Sequence, residues 1–379
     1  MTFELTQDQI MVQELVREFT KSQLAPIAAE LDITARFPAE IIASLAEMGM
    51  MGINIPTAYG GSGLDSICKI LAIEELAKGC ASTAEIFAVH TAVSENILNY
   101  GTEAQKEKYL TAAASGKLGA FALTEPGAGS DAGAAKTRAD SDGDDYVING
   151  AKCFISNMGP EEGDYIVVLA LTQPEKGLKG MSAILVDRDT PGLSLGKTED
   201  KMGLRAACVS EVIFQDCRVP KSNLLGKEGE GFKLAMTGLD SGRIAMAAQA
   251  LGISEAAIEA SVAYMKARIQ FGKPIAVLQG LQWYIADMAT RTEAARALTY
   301  AACDAAQRGV PATKLAAQAK YFASENAVWV TNKALQIHGG YGYMCDYPIE
   351  RMYRDARIIP IYEGTSEIQK VVIAREVMK

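Results

Sequence analysis

The chain contains only two histidines, His90 and His338. That scarcity argues against a histidine-based metal centre, which draws on several imidazole or thiolate ligands. The seven cysteines, at 68, 80, 153, 208, 217, 303 and 345, are odd in number and scattered, and no Cys-x-x-Cys pair occurs. Reduced thiols in a bacterial cytoplasm fit this pattern better than a disulfide framework. No run of about 18 uncharged apolar residues is present, so no membrane-spanning helix is expected. The start, Met1-Thr2-Phe3-Glu4-Leu5, has neither the basic residues nor the apolar stretch of a secretory signal. It is also unlike an Arg-rich transit peptide. A basic excess is missing too: the formal net charge is -9, which disfavours general binding of nucleic acid or anionic membrane.

What is present is an ordinary globular composition, with 379 residues, 49% apolar and 22% charged. This length predicts two or three domains in one body with a sizeable core. Residues 1–120 read as helical, interrupted by the glycine loop Tyr59-Gly60-Gly61-Ser62-Gly63. Residues 121–222 read as a small β domain, a barrel or sandwich. Asn149-Gly150 between two β-prone runs predicts a hairpin turn there. Further strands are expected at Tyr165–Leu171, Ser182–Val186 and Glu211–Phe214. Residues 223–379 return to helix. Ile244, Leu251, Ile258 and Met265 recur every seven residues, as on a buried stripe. Leu281, Tyr284, Ile285 and Met288 mark a second helix, and Ala-rich stretches at 294–306 and 315–328 two more.

Five segments carry candidate chemistry. Thr124-Glu125-Pro126-Gly127-Ala128-Gly129-Ser130-Asp131 combines hydroxyls with glycines that let backbone N–H groups approach an anion or a ring edge. It is no Rossmann fingerprint, because the strand–helix context and the distal acid are missing. Gln336-Ile337-His338-Gly339-Gly340-Tyr341-Gly342 breaks a helix and exposes backbone, which equally describes a C-cap. A lone histidine there reads as a structural hydrogen-bonder. Tyr362-Glu363-Gly364-Thr365 sets a carboxylate in an apolar stretch ahead of a helix capped by Thr365. Apolar neighbours raise a carboxyl pKa and make a better base, whereas a helix N-terminus lowers it. Arg268-x-x-Phe271-Gly272 can clamp a diphosphate or merely complement a helix dipole. Asp240 and Arg243 are three apart, which suits a simple ion pair as well as a site.

Taken in order and spacing, these segments resemble the acyl-CoA dehydrogenase family along the whole chain. Thr124–Ser130 and Gln336–Asp355 look like its two signature segments. Leu239-Asp240-x-Gly242-Arg243-Ile244 and Ile361–Gln369 are most similar to the short-chain, butyryl-CoA type. The resemblance implies an N-terminal helical domain, a middle β-barrel and a C-terminal four-helix bundle. It implies one FAD per subunit, a homotetramer and electron transfer to an electron-transferring flavoprotein, while the cytoplasmic location is expected from the thiol pattern. By the same likeness, Phe121, Leu123, Thr124, Gly129, Ser130, Phe154, Ile155 and Ser156 would hold the flavin ring. Arg268, Phe271 and Gln279 of a neighbouring subunit, with Gln336, Gly339 and Gly340, would hold the diphosphate. Thr365 and Glu367 would touch the cofactor, and Ser130, Asp240, Arg243 and Gly364 would line the acyl-CoA path.

The implied reaction converts a short acyl-CoA to a trans-2-enoyl-CoA, with Glu363 removing the α-proton. Some branches of the family place the base at the position matching Gly242, where glycine cannot serve. The family often has Trp-Ile-Thr where Phe154-Ile155-Ser156 stands here. Alternatives are an enoyl-CoA reductase running in reverse and a dehydrogenase for branched, aromatic or dicarboxylic thioesters. A flavin oxidase or monooxygenase, and a relative used only for binding, are the readings from other classes.

Overall fold

The structure, a computed structural model, describes residues 4–379. The first helices are α1 (Gln7–Phe19), α2 (Ala28–Thr34), α3 (Ala39–Glu47), α4 (Ser66–Gly79), α5 (Ala81–Tyr100) and α6 (Glu103–Ala114). Capping boxes start two of them: Thr6 with Gln9 for α1, and Thr102 with Gln105 for α6. Helices α4 and α5 are buried around most of their circumference, so they form the interior of this region rather than its shell.

An eight-stranded sheet follows: β1 (Gly119–Ala122), β2 (Arg138–Asp142), β3 (Asp145–Ser156), β4 (Tyr165–Leu171), β5 (Met181–Asp187), β6 (Leu193–Thr198), β7 (Val209–Pro220) and β8 (Leu224–Leu225). The strand order is β6-β7-β3-β2-β4-β5-β8, with β1 added parallel to β4. Alternation along β4 explains its unbroken apolar sequence. Ile166 and Val168 face the sheet's own core, while Val167 and Leu169 pack with Val93, Ile97 and Leu110 of the helices. Both faces of the strand are therefore buried.

The turn expected at Asn149-Gly150 is absent. The hairpin between β2 and β3 closes at Gly143-Asp144, with Asp142 opposite Asp145, and β3 runs straight through Asn149 and Gly150. The pair forms a bulge instead, where the register against β7 shifts between Ile148 and Gly150. Asn149 exchanges hydrogen bonds with Asp216, and a Cβ on Gly150 would meet Thr137 Oγ1 at 2.5 Å. Glycine serves there for close backbone approach, not for a turn.

The last region holds α7 (Gly231–Ala267), a short arm of β9 (Ile269–Gln270) and β10 (Lys273–Pro274), then α8 (Gln279–Gln307), α9 (Thr313–His338), α10 (Ile349–Ala356) and α11 (Ser366–Val377). Residues 281–288 and 294–306 belong to the single helix α8, not to two helices, because no glycine or proline interrupts them. Helices α7, α8, α9 and α11 pack as a bundle, and α4 and α5 pack on α7. Alanines at 245, 247, 248 and 250 on α7 and at 316, 319, 323 and 327 on α9 are all buried, which permits close helix approach. The turn of the β9–β10 arm puts Phe271 and Gly272 at positive φ and leaves the Phe271 ring 91% exposed. No helix among the described residues is long and apolar enough to cross a membrane. All seven cysteines are free thiols.

Candidate active site

After α10 the chain passes through Tyr362, Glu363 and Gly364 and enters α11. Thr365 caps that helix by accepting a hydrogen bond from Ile368 N at 3.3 Å. Glu363 has φ 54° and Gly364 φ 89°, so two successive residues are left-handed. For a glutamate this conformation is unfavourable and needs external support. Lys320 of α9 supplies part of it, its Nζ donating to Gly364 O at 2.7 Å. Gln369 Nε2 donates to Gly364 O at 2.9 Å and to Glu363 O at 3.2 Å. The carboxylate itself lies against α7: a Cβ on Gly242 would stand 2.6 Å from Glu363 Oε2.

The charges around Glu363 pull in opposite directions. Burial raises its pKa above the usual carboxylate range, and the cations of Arg243 and Lys320 partly offset that rise. Some solvent access remains, as a site open to a ligand requires. Arg243 is held by Asp240 Oδ1 at 2.6 Å, and Thr313 Oγ1 donates to Asp240 Oδ2 at 2.6 Å. The Asp240–Arg243 pair is thus both an ion pair and a neighbour of the carboxylate. Lys320 is fully buried, and burial brings its pKa down to about 8 although the Glu363 charge opposes the fall. Tyr362 Oη donates to Gln249 Oε1, and Gln249 Nε2 donates to Ala81 O at 2.8 Å. These bonds tie the loop to α7 and α5.

A second group of residues lies at one end of the sheet. Phe121 is in β1, and Leu123 and Thr124 follow it. Glu125 and Ala128 exchange backbone hydrogen bonds of 3.1 and 3.0 Å, closing a tight turn at Pro126-Gly127. The buried Glu125 carboxylate accepts from Lys136 N at 2.6 Å, Thr137 N at 2.9 Å and Lys152 Nζ at 2.8 Å. Lys152 also donates to Leu123 O at 3.1 Å, and Cys153 N to Thr124 O at 3.0 Å. The loop is thereby fixed to β3 beside Phe154, Ile155 and Ser156. Phe154 sits at φ 58° in an irregular stretch of the β3–β7 register, which turns its ring outward to 65% exposure. Ile155 is buried in the sheet core; Gly129 and Ser130 are exposed.

Removing one partner of the Glu125–Lys152 pair leaves an uncompensated buried charge. Lys152→Met should therefore cost about 3 kcal/mol or more of unfolding free energy, read from the urea midpoint at unchanged m. A loss below about 1 kcal/mol would show the pair to be dispensable.

A third group surrounds a cavity of ≈ 510 Å³ at the far ends of α7 and α9. Arg268, Gly339, Gly340 and Tyr341 line it, with the Arg268 guanidinium 5.2 Å from the centre of the Tyr341 ring. His338 is structural: its Nδ1 is 2.8 Å from Ala334 O and its ring stacks on Tyr264 at 4.3 Å. Phe271, Gln279 and Gln336 are exposed at the same end, while Thr365 caps α11 and Glu367 stands in its first turn. At about 1.5 Å per residue, α7 separates Gly242 from Arg268 by roughly 39 Å. Within one chain, then, the Arg268 group and Glu363 stand far apart along α7, Arg268 at its C-terminal end and Glu363 beside Gly242 in its N-terminal third.

Several residues of this arrangement have no local sequence signal. Lys320, Gln249, Gln369, Glu85 and the Glu125–Lys152 pair act through partners 5 to 168 positions away. Only the burial of a long polar side chain in an apolar helix hints at Lys320.

The residues suit a flavin dinucleotide. A Cβ at Gly127, Gly129, Gly339 or Gly340 would meet no atom within 4 Å, so backbone there is open to a ligand. Thr124 and Ser156 offer hydroxyls to a polar ring edge, and Arg268 a forked donor to a diphosphate. No group of acidic, histidine or cysteine residues that could hold a metal ion exists among the described residues.

Three family models together match most of the chain: acyl-CoA dehydrogenase N-terminal domain over residues 6–117, middle domain over 120–217 and C-terminal domain over 229–378. An acryloyl-CoA reductase (NADH) of Anaerotignum propionicum is 58% identical, over 100% of this chain and 96% of its own. A short-chain specific acyl-CoA dehydrogenase of Clostridium acetobutylicum is 49% identical, with 100% of both chains covered. Among solved structures, butyryl-CoA dehydrogenase from Megasphaera elsdenii superposes with a TM-score of 0.97 at 45% identity, covering 100% of both chains. A chain from work on the electron transferring flavoprotein of Acidaminococcus fermentans superposes at 0.98 with 48% identity, again over 100% of both. The chain belongs to the acyl-CoA dehydrogenase family of FAD-dependent flavoprotein oxidoreductases.

Proposed function

We propose that the chain dehydrogenates a short, butyryl-like acyl-CoA between C2 and C3, with Glu363 as the base. The observation that carries this reading is a carboxylate held left-handed against Gly242, with burial raising its pKa and two cations beside it. A thioester α-hydrogen is a weak acid, so a desolvated carboxylate gains basicity where it is needed. Glu363 takes the α-proton; backbone N–H donors stabilise the developing oxyanion. Bound FAD supplies the acceptor for the β-hydrogen. Ser130, Asp240, Arg243 and Gly364 line the acyl-CoA path in this reading. Residues 121–130 and 154–156, with Thr365 and Glu367, hold the flavin end.

The length of α7 bears on assembly. An extended dinucleotide whose ring lies near Glu363 does not reach Arg268 of the same chain. The reading therefore takes Arg268, Phe271, Gln279 and the Gln336–Gly340 turn from a neighbouring subunit, in a homotetramer. The exposed arm at Phe271 and the 61% exposed Trp283 of α8 are apolar surfaces consistent with such a contact. An electron-transferring flavoprotein is the proposed redox partner, supported by the Acidaminococcus fermentans likeness.

Anaerobic bleaching of the flavin by a panel of acyl-CoAs tests substrate class. Butyryl-CoA should bleach it faster than octanoyl-CoA or a branched thioester by at least about tenfold, the lower end of what a single poorly fitting methylene is worth. Equal rates would remove the short-chain assignment. The 58% identical acryloyl-CoA reductase favours a second reading, in which the same site runs as an enoyl-CoA reductase. Rapid reoxidation of the reduced protein by an enoyl thioester, with slow bleaching by the saturated one, would select it.

A further inference from the structure

We propose that Glu85 is a positioning residue that works as a neutral acid, holding a proton beside Tyr362 and Glu363 and keeping a second negative charge out of the reaction centre. The proposal rests on Glu363 being the base. Glu85 projects from α5 and is 4% exposed. Its Oε1 accepts from Ser156 Oγ at 3.4 Å, a long bond, and its Oε2 has no hydrogen-bond partner. Tyr362 Oη lies within hydrogen-bonding reach but is already bonded to Gln249.

The groups that face Glu85 are Ser156 from β3 and Tyr362 and Glu363 from the catalytic loop. None is a cation. The nearby cations, Arg243 of α7 and Lys320 of α9, act on Glu363. A carboxylate buried with one free oxygen and no counter-ion is costly, and the group takes a proton instead. Glu363 adds like-charge repulsion. In keeping with this geometry, burial first and the Glu363 charge second push the Glu85 carboxyl up to about 8.

The negative charge of Glu363 disfavours ionisation of Glu85. With Glu363 ionised as the base, Glu85 stays neutral. Ionisation of Glu85 in alkali would set a second negative charge beside Tyr362 and Glu363, where negative charge also builds as the substrate gives up its proton, and the reaction would slow. Glu85 acts through Tyr362, Ser156 and Glu363, so its role is one of positioning.

Infrared titration of the FAD-loaded protein reads the proton directly. At about pH 7 the wild type should show the C=O stretch of a protonated carboxyl. The band should be missing from Glu85→Gln. In Glu363→Gln it should persist and titrate away at lower pH, because one of the two repelling charges is gone. A parallel measurement follows flavin reduction by butyryl-CoA. Between about pH 7 and about pH 10 the wild-type rate should fall about tenfold, and the Glu85→Gln rate by clearly less. Lys320 also loses charge in that range, so a residual fall in the variant is expected. A neutral-pH spectrum without the band, or one unchanged in Glu85→Gln, overturns the proposal. Equal alkaline falls in both proteins overturn it as well. Absence of flavin reduction by any thioester, with the band in place, instead defeats the dehydrogenase reading and the positioning role that depends on it.

Discussion

Glu363→Gln should leave a yellow, folded protein whose flavin is reduced by butyryl-CoA about 10²- to 10⁴-fold more slowly than in the wild type, the usual worth of a positioned base. The substitution keeps the shape of the side chain. The bonds that hold the loop, from Lys320 and Gln369, go to the Glu363 and Gly364 carbonyls and do not need the carboxylate. Stability should not suffer. A carboxyl whose pKa is raised on folding binds its proton more tightly in the native state, so its stabilising effect is present at low pH and lost as pH rises through the folded value. At neutral pH the ionised Glu363 is thus a cost to folding, and the glutamine variant should unfold at an equal or higher urea concentration. The same shift sets the acid limb of the wild-type rate. Activity should fall as pH drops through a midpoint above the usual carboxylate range, and that limb should vanish in the variant. Near-normal reduction by Glu363→Gln would refute the assignment of the base.

Gly242→Ala should separate activity from stability. The added methyl would stand 2.6 Å from Glu363 Oε2, closer than any unstrained contact, so the carboxylate must move. A displacement of this order costs about 10²-fold in rate when the group must meet a reacting atom in line. Folding should respond in the opposite direction. Gly242 lies inside α7, where alanine is favoured over glycine by about 1 kcal/mol, and the obstructing atom is the end of a flexible side chain. The expected result is a variant with a urea midpoint at or above that of the wild type and flavin reduction about 10²-fold slower. Unchanged kinetics would mean that the working carboxylate does not rest on α7.

The two substitutions act on one contact from its two sides. The first removes the charge and leaves the geometry; the second moves the geometry and leaves the charge. Their pH profiles should differ accordingly, with the acid limb lost in Glu363→Gln and displaced but present in Gly242→Ala.

Local chemistry made some features of this molecule readable in its sequence. Thr365 caps α11, Gly339 ends α9, and the stripe from Ile244 to Met265 lies on α7. Each follows from residues within a few positions of one another, through capping, backbone freedom or helical period. The family likeness reached further because it rests on the order and spacing of several motifs. It gave the three-part architecture and marked Glu363. Asn149-Gly150 shows where local reasoning failed: the pair has the composition of a turn, yet Asp216 and Thr137, distant in the chain, make it a bulge within β3.

The sequence alone determined that this chain carries one carboxylate in an apolar stretch before a capped helix, within a helix–sheet–helix order. Only the tertiary structure decided what surrounds that carboxylate. Lys320, Arg243, Gln369 and Gly242 come from three different helices, and Glu85 from a fourth. Desolvation and charge coupling depend on distance in space, and a linear pattern fixes those distances only along a single element.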